Sequence, residues 1–334
     1  MSGTAGAFTH RACIYDSDRQ FLATALPFLE EGLSLGDPVL TVTTPANLEL
    51  VNTALGARGT SVDYAESAFF GRRPAQRVAA FHRYWKRHAD GSAGTPVRIL
   101  AEPVWAGRSS REIAAWTRME AGLNVALAPT TISMICPYDT RIVPPAILAD
   151  AQHTHPEQVD GPRISPCPGY GDPADFARSC DADPLPDPPP GAAEFDFAGD
   201  LRGLRRFITS RAAAHGLTSD RTGMLVLAAG EVGTYLKNQG PGSATVRMWE
   251  QPGAVVCDFR QTRARSDQAS SDSDPFLGLR PAELKPEPGD GLWLAGQICD
   301  SIEIRPGQAS GVIRLHVASR HNEEMAQPGV RYPI

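Results

Sequence analysis

Five times between His10 and about Ala151 a short β-branched run is followed by a longer amphipathic segment. RACIYD precedes FLATALPFLEEGLSLG, PVLTVTT precedes ANLELVNTALGARG, TSVDYA precedes PAQRVAAFHRYWKRHA, PVRILAE precedes REIAAWTRMEAGLNVALA, and TISMICPYD precedes PPAILADAQ. Such alternation predicts a parallel sheet with helices on both faces, and ligands of such folds bind beyond the carboxyl ends of the strands. Pro27 falls inside the first helical segment, where a kink is expected. There is no GxxxxGKS or GxxxxGKT loop, and YDSDRQ stands after the first strand where a GxGxxG would be, so neither usual phosphate cradle is present.

From His155 to about Ala193 the pattern stops: the stretch is dense in Pro, Gly and Asp and has no sustained apolar period, which reads as a linker. Periodicity resumes with two helices, at roughly 197–215 and 219–238. Strands follow near SATVRMWE and AVVCDFRQ, joined by a turn at QPGA. A long polar stretch leads to a helix at GLWLAGQICD and strands at SIEIR and GVIRLHV. Helices grouped on one side of a mixed sheet make an α/β sandwich. The chain therefore divides into a doubly wound α/β domain at 8–156, a linker at 157–193, a second α/β domain at 194–318 and a tail at 319–334.

The 334 residues suffice for two cores. A net charge of −6 gives no electrostatic reason to expect nucleic acid. No apolar run approaches the roughly 18 to 20 residues of a membrane span, and the first residues lack the basic-then-apolar order of a signal peptide, so a cytoplasmic protein is expected. The six cysteines (Cys13, Cys136, Cys167, Cys180, Cys257, Cys299) form no C-x-x-C, which points away from a disulfide framework or a zinc ribbon.

Within MLVLAAGEVGTYLKNQG, Glu231 is a lone carboxylate on a helix otherwise apolar or small at 224, 225, 227, 228, 232 and 236, with Gly240 as a C-cap. A half-buried Glu is costly unless paired or used. On LAAGEVGTYLKNQG, DPFLGLRP and GDGLWLAGQICDSIEIR, the region at about 195–318 resembles the GHKL ATPase/kinase fold, in its branch of anti-sigma-factor serine kinases. The first domain resembles the MEDS sensory domain through THRACIYDSDRQFLATALPFLEEGLSLGDPVLTV, RILAEPVW, RMEAGLN, MICPYD and the closing HTHP.

The kinase resemblance implies that Glu231 is a general base and that an Asn one turn on would ligate Mg²⁺. Tyr235 holds that place, and Asn238 lies a further turn along. The first glycine box, D-x-G-x-G in the family, is replaced by Gln261, Thr262, Arg263, Ala264 and Arg265. The second survives as Gly289, Asp290, Gly291 and Leu292, while Trp293 reads as core. Glu231 is then a carboxylate that bonds locally or meets solvent rather than a working base, and the glycines serve either a nucleotide or close helix packing. The expectation is a pseudokinase that acts by protein binding. No cofactor is assigned, and ATP with Mg²⁺ enters only if this degenerate site still works. The alternative is an active serine kinase. The resemblance implies a sigma factor or an anti-anti-sigma (STAS) protein as partner, and a homodimer is compatible with it.

In the first domain, Asp16, Glu102, Trp105, Glu120, Asn124, Tyr138 and Asp139 fall at strand ends or on facing helices and match the MEDS pattern. With His10, Arg98, Cys136 and His155 they make the candidate sensory pocket at the sheet's carboxyl edge, for a small molecule the sequence does not name. Arg98 reads either as a pocket cation or as an edge residue. His10, Cys13, Cys136, His153 and His155 raise the question of a metal, but residues three apart on a strand face opposite ways, so His10 and Cys13 diverge and no metal is assigned.

Overall fold

The computed structural model describes residues 7–88, 94–239, 242–263, 274–281, 290–305 and 310–319. Two compact units emerge, the first reaching Cys180 and the second beginning at Asp181. Among the described residues no helix is long and apolar enough to cross a membrane.

The first unit runs β1 (Thr9–Tyr15), α1 (Asp18–Leu35), β2 (Val39–Thr43), α2 (Pro45–Leu55), β3 (Asp63–Glu66), α3 (Pro74–His88), β4 (Val97–Ala101), α4 (Ser110–Ala126), β5 (Ile132–Asp139), α5 (Pro145–Thr154), β6 (Glu157–Asp160), β7 (Arg163–Pro166) and α6 (Pro173–Cys180). Its seven-stranded sheet has the order β3-β2-β4-β5-β1-β6-β7, parallel from β3 to β6, with β7 antiparallel at the edge. Caps explain the helix ends. Ser17 accepts from the Gln20 N–H at the start of α1, and Gly36, at φ 78°, ends it in the left-handed region that a side chain would disfavour. Ser109 and Glu112 form a reciprocal capping box on α4. Pro27 lies within α1, which continues past it as one helix.

Strand alternation sends side chains to two faces. Cys13, Tyr15, Leu100 and Ile135 point into a core with Phe21, Ala25 and Leu29 of α1 and Val51 of α2. His10 and Ala12 are in register with Met134 and Cys136, so these four share the other face.

The stretch expected to be a linker is folded. Residues 157–180 supply β6, β7 and α6, which belong to the first unit. β6 pairs with β1 at Arg11 and Ala12, Arg11 donates to Glu157 at 2.8 Å, and the Gly161 N–H reaches Thr24 Oγ1 at 2.9 Å. Ala177 of α6 is fully buried. β6 and α6 bury one side chain each and the edge strand β7 none, too few to produce a period among prolines and glycines.

The second unit runs β8 (Ala193–Phe197), α7 (Leu201–Ala214), α8 (Ser219–Asn238), β9 (Gly242–Gln251), β10 (Ala254–Arg263), α9 (Asp290–Ile298), β11 (Ser301–Arg305) and β12 (Ser310–Ala318). The sheet order is β11-β12-β10-β9-β8, and every pairing is antiparallel, not mixed as expected. The added strand β8 was hidden because only Phe195 and Phe197 carry it into the core. Pro252 and Gly253, the latter at φ 81°, make the β9–β10 turn, the chemistry a type II turn asks for. On the core side Leu204, Ile208 and Ala212 of α7 and Leu225, Ala228, Ala229, Val232 and Leu236 of α8 pack on Val246, Met248, Val255, Cys257, Phe259, Ile313 and Leu315. Met224 and Leu227, expected on that face, are each 48 % exposed. Gly240 and the tail from 320 onward lie outside the described residues.

The other face of this sheet is polar and partly covered by the residues just before β8. Asp258, fully buried, bonds Arg314 at 2.7 Å and Arg260 at 2.9 Å. The Pro186 carbonyl accepts from both arginines, Asp187 pairs with Arg260, and Asp181 pairs with Arg305. The second half of the expected linker is thus bonded to the sheet.

Candidate functional site

Of the eleven residues of the expected pocket, seven gather on one side of the first sheet, Glu102 lies on the other and three stand apart from both. On one side, β1 supplies His10, β5 supplies Cys136 and Tyr138, α4 supplies Glu120 and Asn124, and the residue after α5 is His155. His10, Glu120, Cys136 and His155 each offer one ligand atom, and the four atoms lie within 4.8 Å of one another. All four side chains are buried. His10 Nε2 is 3.4 Å from Cys136 Sγ and 3.6 Å from Glu120 Oε2, and His155 Nε2 is 3.7 Å from the same oxygen. The Tyr138 hydroxyl reaches Glu120 at 3.5 Å, and Trp105 stacks near Tyr138 with centroids 6.3 Å apart.

Burial dominates the protonation states. It pushes His10 and His155 down to about 3, the charge of His10 adding to the shift on His155, and it raises Glu120 and drives the Cys136 thiol well up. A buried cluster with no ion favours its neutral forms. Cys13 and His153 stand apart. Cys13 faces the opposite core, as strand geometry required, and His153 bonds the Gly169 carbonyl. The sequence argument against a metal set His10 against Cys13, but the donors that join His10 come from β5, α4 and the end of α5.

On the other side lies a second polar group. Glu102, just after β4, accepts from Tyr15 at 3.0 Å, from Asn47 at 2.9 Å and from Thr43, while Asn47 also donates to Tyr15. All of these sit at the carboxyl ends of their strands or at the start of α2, where ligands of parallel sheets bind. Tyr15, Thr43 and Asn47 went unremarked in the sequence, since each reads as an ordinary strand-end or helix-cap residue. Arg77 of α3 was missed too. It donates to the carbonyls of Ser67, Phe70 and Glu102 and to Ser67 Oγ, and its guanidinium lies over Phe70, Phe81 and Trp116. The available signal was its spacing from Phe81 and Tyr84, a cation on the apolar stripe of α3.

Three expected pocket residues lie apart from both groups. Arg98 donates to Asp37 at 2.9 Å, to Glu31 at 2.7 Å and to the Phe28 carbonyl, so it ties β4 to the end of α1. Asp139 holds Arg141, which also reaches Asp18. Asp16 is exposed, and its N–H donates to Gln20.

In the second unit, Glu231 of α8 lies against the start of α9: a Cβ on Gly291 would collide with Glu231 Oε2. Tyr235 packs against the core from one turn further along, Leu292 is fully buried, and Gln261 is buried on β10. Gly289 and Arg265 lie outside the described residues, as does the side chain of Arg263.

A mostly parallel sheet with helices on both faces and buried polar groups on each places the first unit in the doubly wound α/β class. More particularly, residues 9–156 match the family described as MEDS, the MEthanogen/methylotroph, DcmR Sensory domain, and this MEDS domain suggests a signalling role. The match ends before β6, β7 and α6, although β6 and β7 extend the same sheet. No curated protein matches the chain.

Proposed function

We propose that the protein is a signalling regulator whose MEDS domain senses a small molecule and whose second unit is a GHKL-like domain of the anti-sigma type that acts by binding another protein, with ATP binding weak or lost. The contact between Glu231 and Gly291 carries this reading. In the fold that the second unit resembles, the glutamate helix and the second glycine box bracket a nucleotide. Here the carboxylate fills the space that a side chain at 291 would need, so Gly291 serves close packing of α9 on α8. Tyr235 supports it as well, since a neutral phenol is a bulky substitute for an amide oxygen on a small ion held at about 2.0–2.1 Å. The partner would be a sigma factor or an anti-anti-sigma (STAS) protein, and ligand occupancy of the MEDS domain would shift which partner is held.

Calorimetric titration of the full chain with Mg-ATP and Mg-ADP tests the reading. The expected result is no heat of binding in the micromolar range. Micromolar affinity abolished by Gly291→Trp would favour the alternative, an active serine kinase using Glu231, and transfer of labelled phosphate to a STAS protein would establish it.

A further inference from the structure

We propose that the first unit binds one divalent cation of the zinc class through His10 Nε2, His155 Nε2, Cys136 Sγ and Glu120 Oε2. The inference stands on the geometry of this unit and is independent of how the second unit acts.

The two imidazoles are set up as ligands by their other nitrogens. His155 Nδ1 is 2.8 Å from the Ala151 carbonyl, an acceptor only, so the proton sits on Nδ1 and Nε2 is left with its lone pair. That Nε2 is buried and has no hydrogen-bond partner among the described residues, and it points at Glu120. His10 is fixed by a longer chain. Asn124 Nδ2 donates to the carbonyls of Ala121 and Thr154, which orients the amide with Oδ1 toward His10 Nδ1 at 3.2 Å. Nδ1 of His10 therefore donates, and its Nε2 lone pair also faces the centre. Orientation of a ligating histidine by a carbonyl or amide behind it is the usual outer arrangement of a metal site.

The spacing and the charge both fit. Zinc with bonds of about 2.0–2.3 Å in a tetrahedron separates neighbouring ligand atoms by about 3.3–3.6 Å. Three of the contacts here are 3.4, 3.6 and 3.7 Å, and all four atoms fall within 4.8 Å. Seating both Nε2 atoms on one ion requires the two rings, whose centroids are 3.9 Å apart, to splay outward. A dication bound by the thiolate of Cys136, the carboxylate of Glu120 and two neutral imidazoles gives a buried centre of zero net charge. Four protein ligands leave no open position, the mark of a site that ties elements together, here β1, β5, α4 and the end of α5. Asn124 is a positioning residue.

The test uses the full chain, stripped by a chelator and then titrated with Zn²⁺ against a chromophoric competitor and, separately, with Co²⁺ as a spectroscopic probe. The expected result is one ion per chain, with a thiolate-to-cobalt charge-transfer band and ligand-field bands of tetrahedral intensity. Cys136→Ser removes that band, and His155→Ala and Glu120→Gln weaken Zn²⁺ at least 100-fold. Asn124→Ala weakens it about 10- to 100-fold. Cys13→Ser, on the opposite face, leaves both signals unchanged. The proposal is overturned by absence of stoichiometric uptake, by an octahedral cobalt spectrum without the thiolate band, or by a band that survives Cys136→Ser. Where a ligand variant does not fold, the cobalt spectrum of the unaltered chain decides alone.

Discussion

Arg77 shows at the residue scale how a single buried cation organises the first unit. It is 2 % exposed, and burial lowers its guanidinium to about 10, still well above neutral pH, so it remains charged there. Its donors satisfy carbonyls of the segment after β3 and of Glu102. Arg77→Ala orphans buried acceptors, each worth about 1–3 kcal/mol. The first unit's unfolding transition is expected to fall by about 3 kcal/mol or more in a urea titration, and Arg77→Lys to recover only part of it, since an ammonium lacks the fork. Asp139 carries a pH dependence. Burial raises its carboxyl, but hydrogen bonds and charge from Arg141 outweigh this and hold it below the ordinary 3.8. A depressed carboxylate contributes stability that is present above 3.8 and is lost as pH falls through the lower folded value. Wild type and Arg141→Ala should therefore differ in denaturation midpoint at pH 6 and converge in acid below pH 3.8; a constant gap through that range would refute the coupling.

Helix α8 shows at the element scale what glycines do when they are not ligand contacts. A Cβ on Gly233 would lie 2.8 Å from Leu204 Cδ2 and 2.9 Å from Leu201 Cδ2, and Leu204 is fully buried with little room to move. Gly223, on the same helix, is exposed and would meet nothing within 4 Å. Glycine to alanine gains about 1 kcal/mol of helix propensity, whereas overpacking costs about 1–3 kcal/mol. Gly223→Ala should stabilise the second unit by about 0.5–1 kcal/mol, and Gly233→Ala should destabilise it by about 1 kcal/mol, measured by thermal or denaturant unfolding. Elements of this kind were the legible part of the sequence. The five β/α repeats gave the parallel sheet, because a fully buried strand and an amphipathic helix differ in period. β8, β6 and β7 were not legible, since these short strands at or beside a sheet edge bury at most one side chain apiece. The candidate site was half legible. His10, Glu120, Asn124, Cys136, Tyr138 and His155 were all named from the sequence, but their gathering on one face depends on strand register. Glu102 went to the opposite face for the same reason, and Arg98 went to a helix end. Tyr15 and Asn47 carry no mark in the sequence beyond their places at a strand end and a helix start.

At the scale of the whole molecule, the Pro-rich stretch between the repeating segments is where sequence and structure part most. Its first part closes the first sheet and its second part bonds the outer face of the second sheet, so a functional boundary drawn at 156 or 194 cuts through folded structure. A fragment of residues 7–156 loses the β6 pairing on β1, the Arg11–Glu157 ion pair and the buried Ala177, whereas residues 7–180 keep them. The longer fragment should show a cooperative unfolding transition at distinctly higher denaturant, and the shorter one an exposed β1 edge prone to self-association. In the second unit, a fragment beginning at 193 removes the Pro186 carbonyl and Asp187 from the arginines that flank fully buried Asp258. Water reaches the freed guanidinium groups, so the loss against a fragment beginning at 181 should be about 1–3 kcal/mol rather than collapse. Equal stability of the two members in either pair, measured by denaturant titration under identical conditions, would show that these residues are a tether and that the contacts they make contribute nothing to the fold.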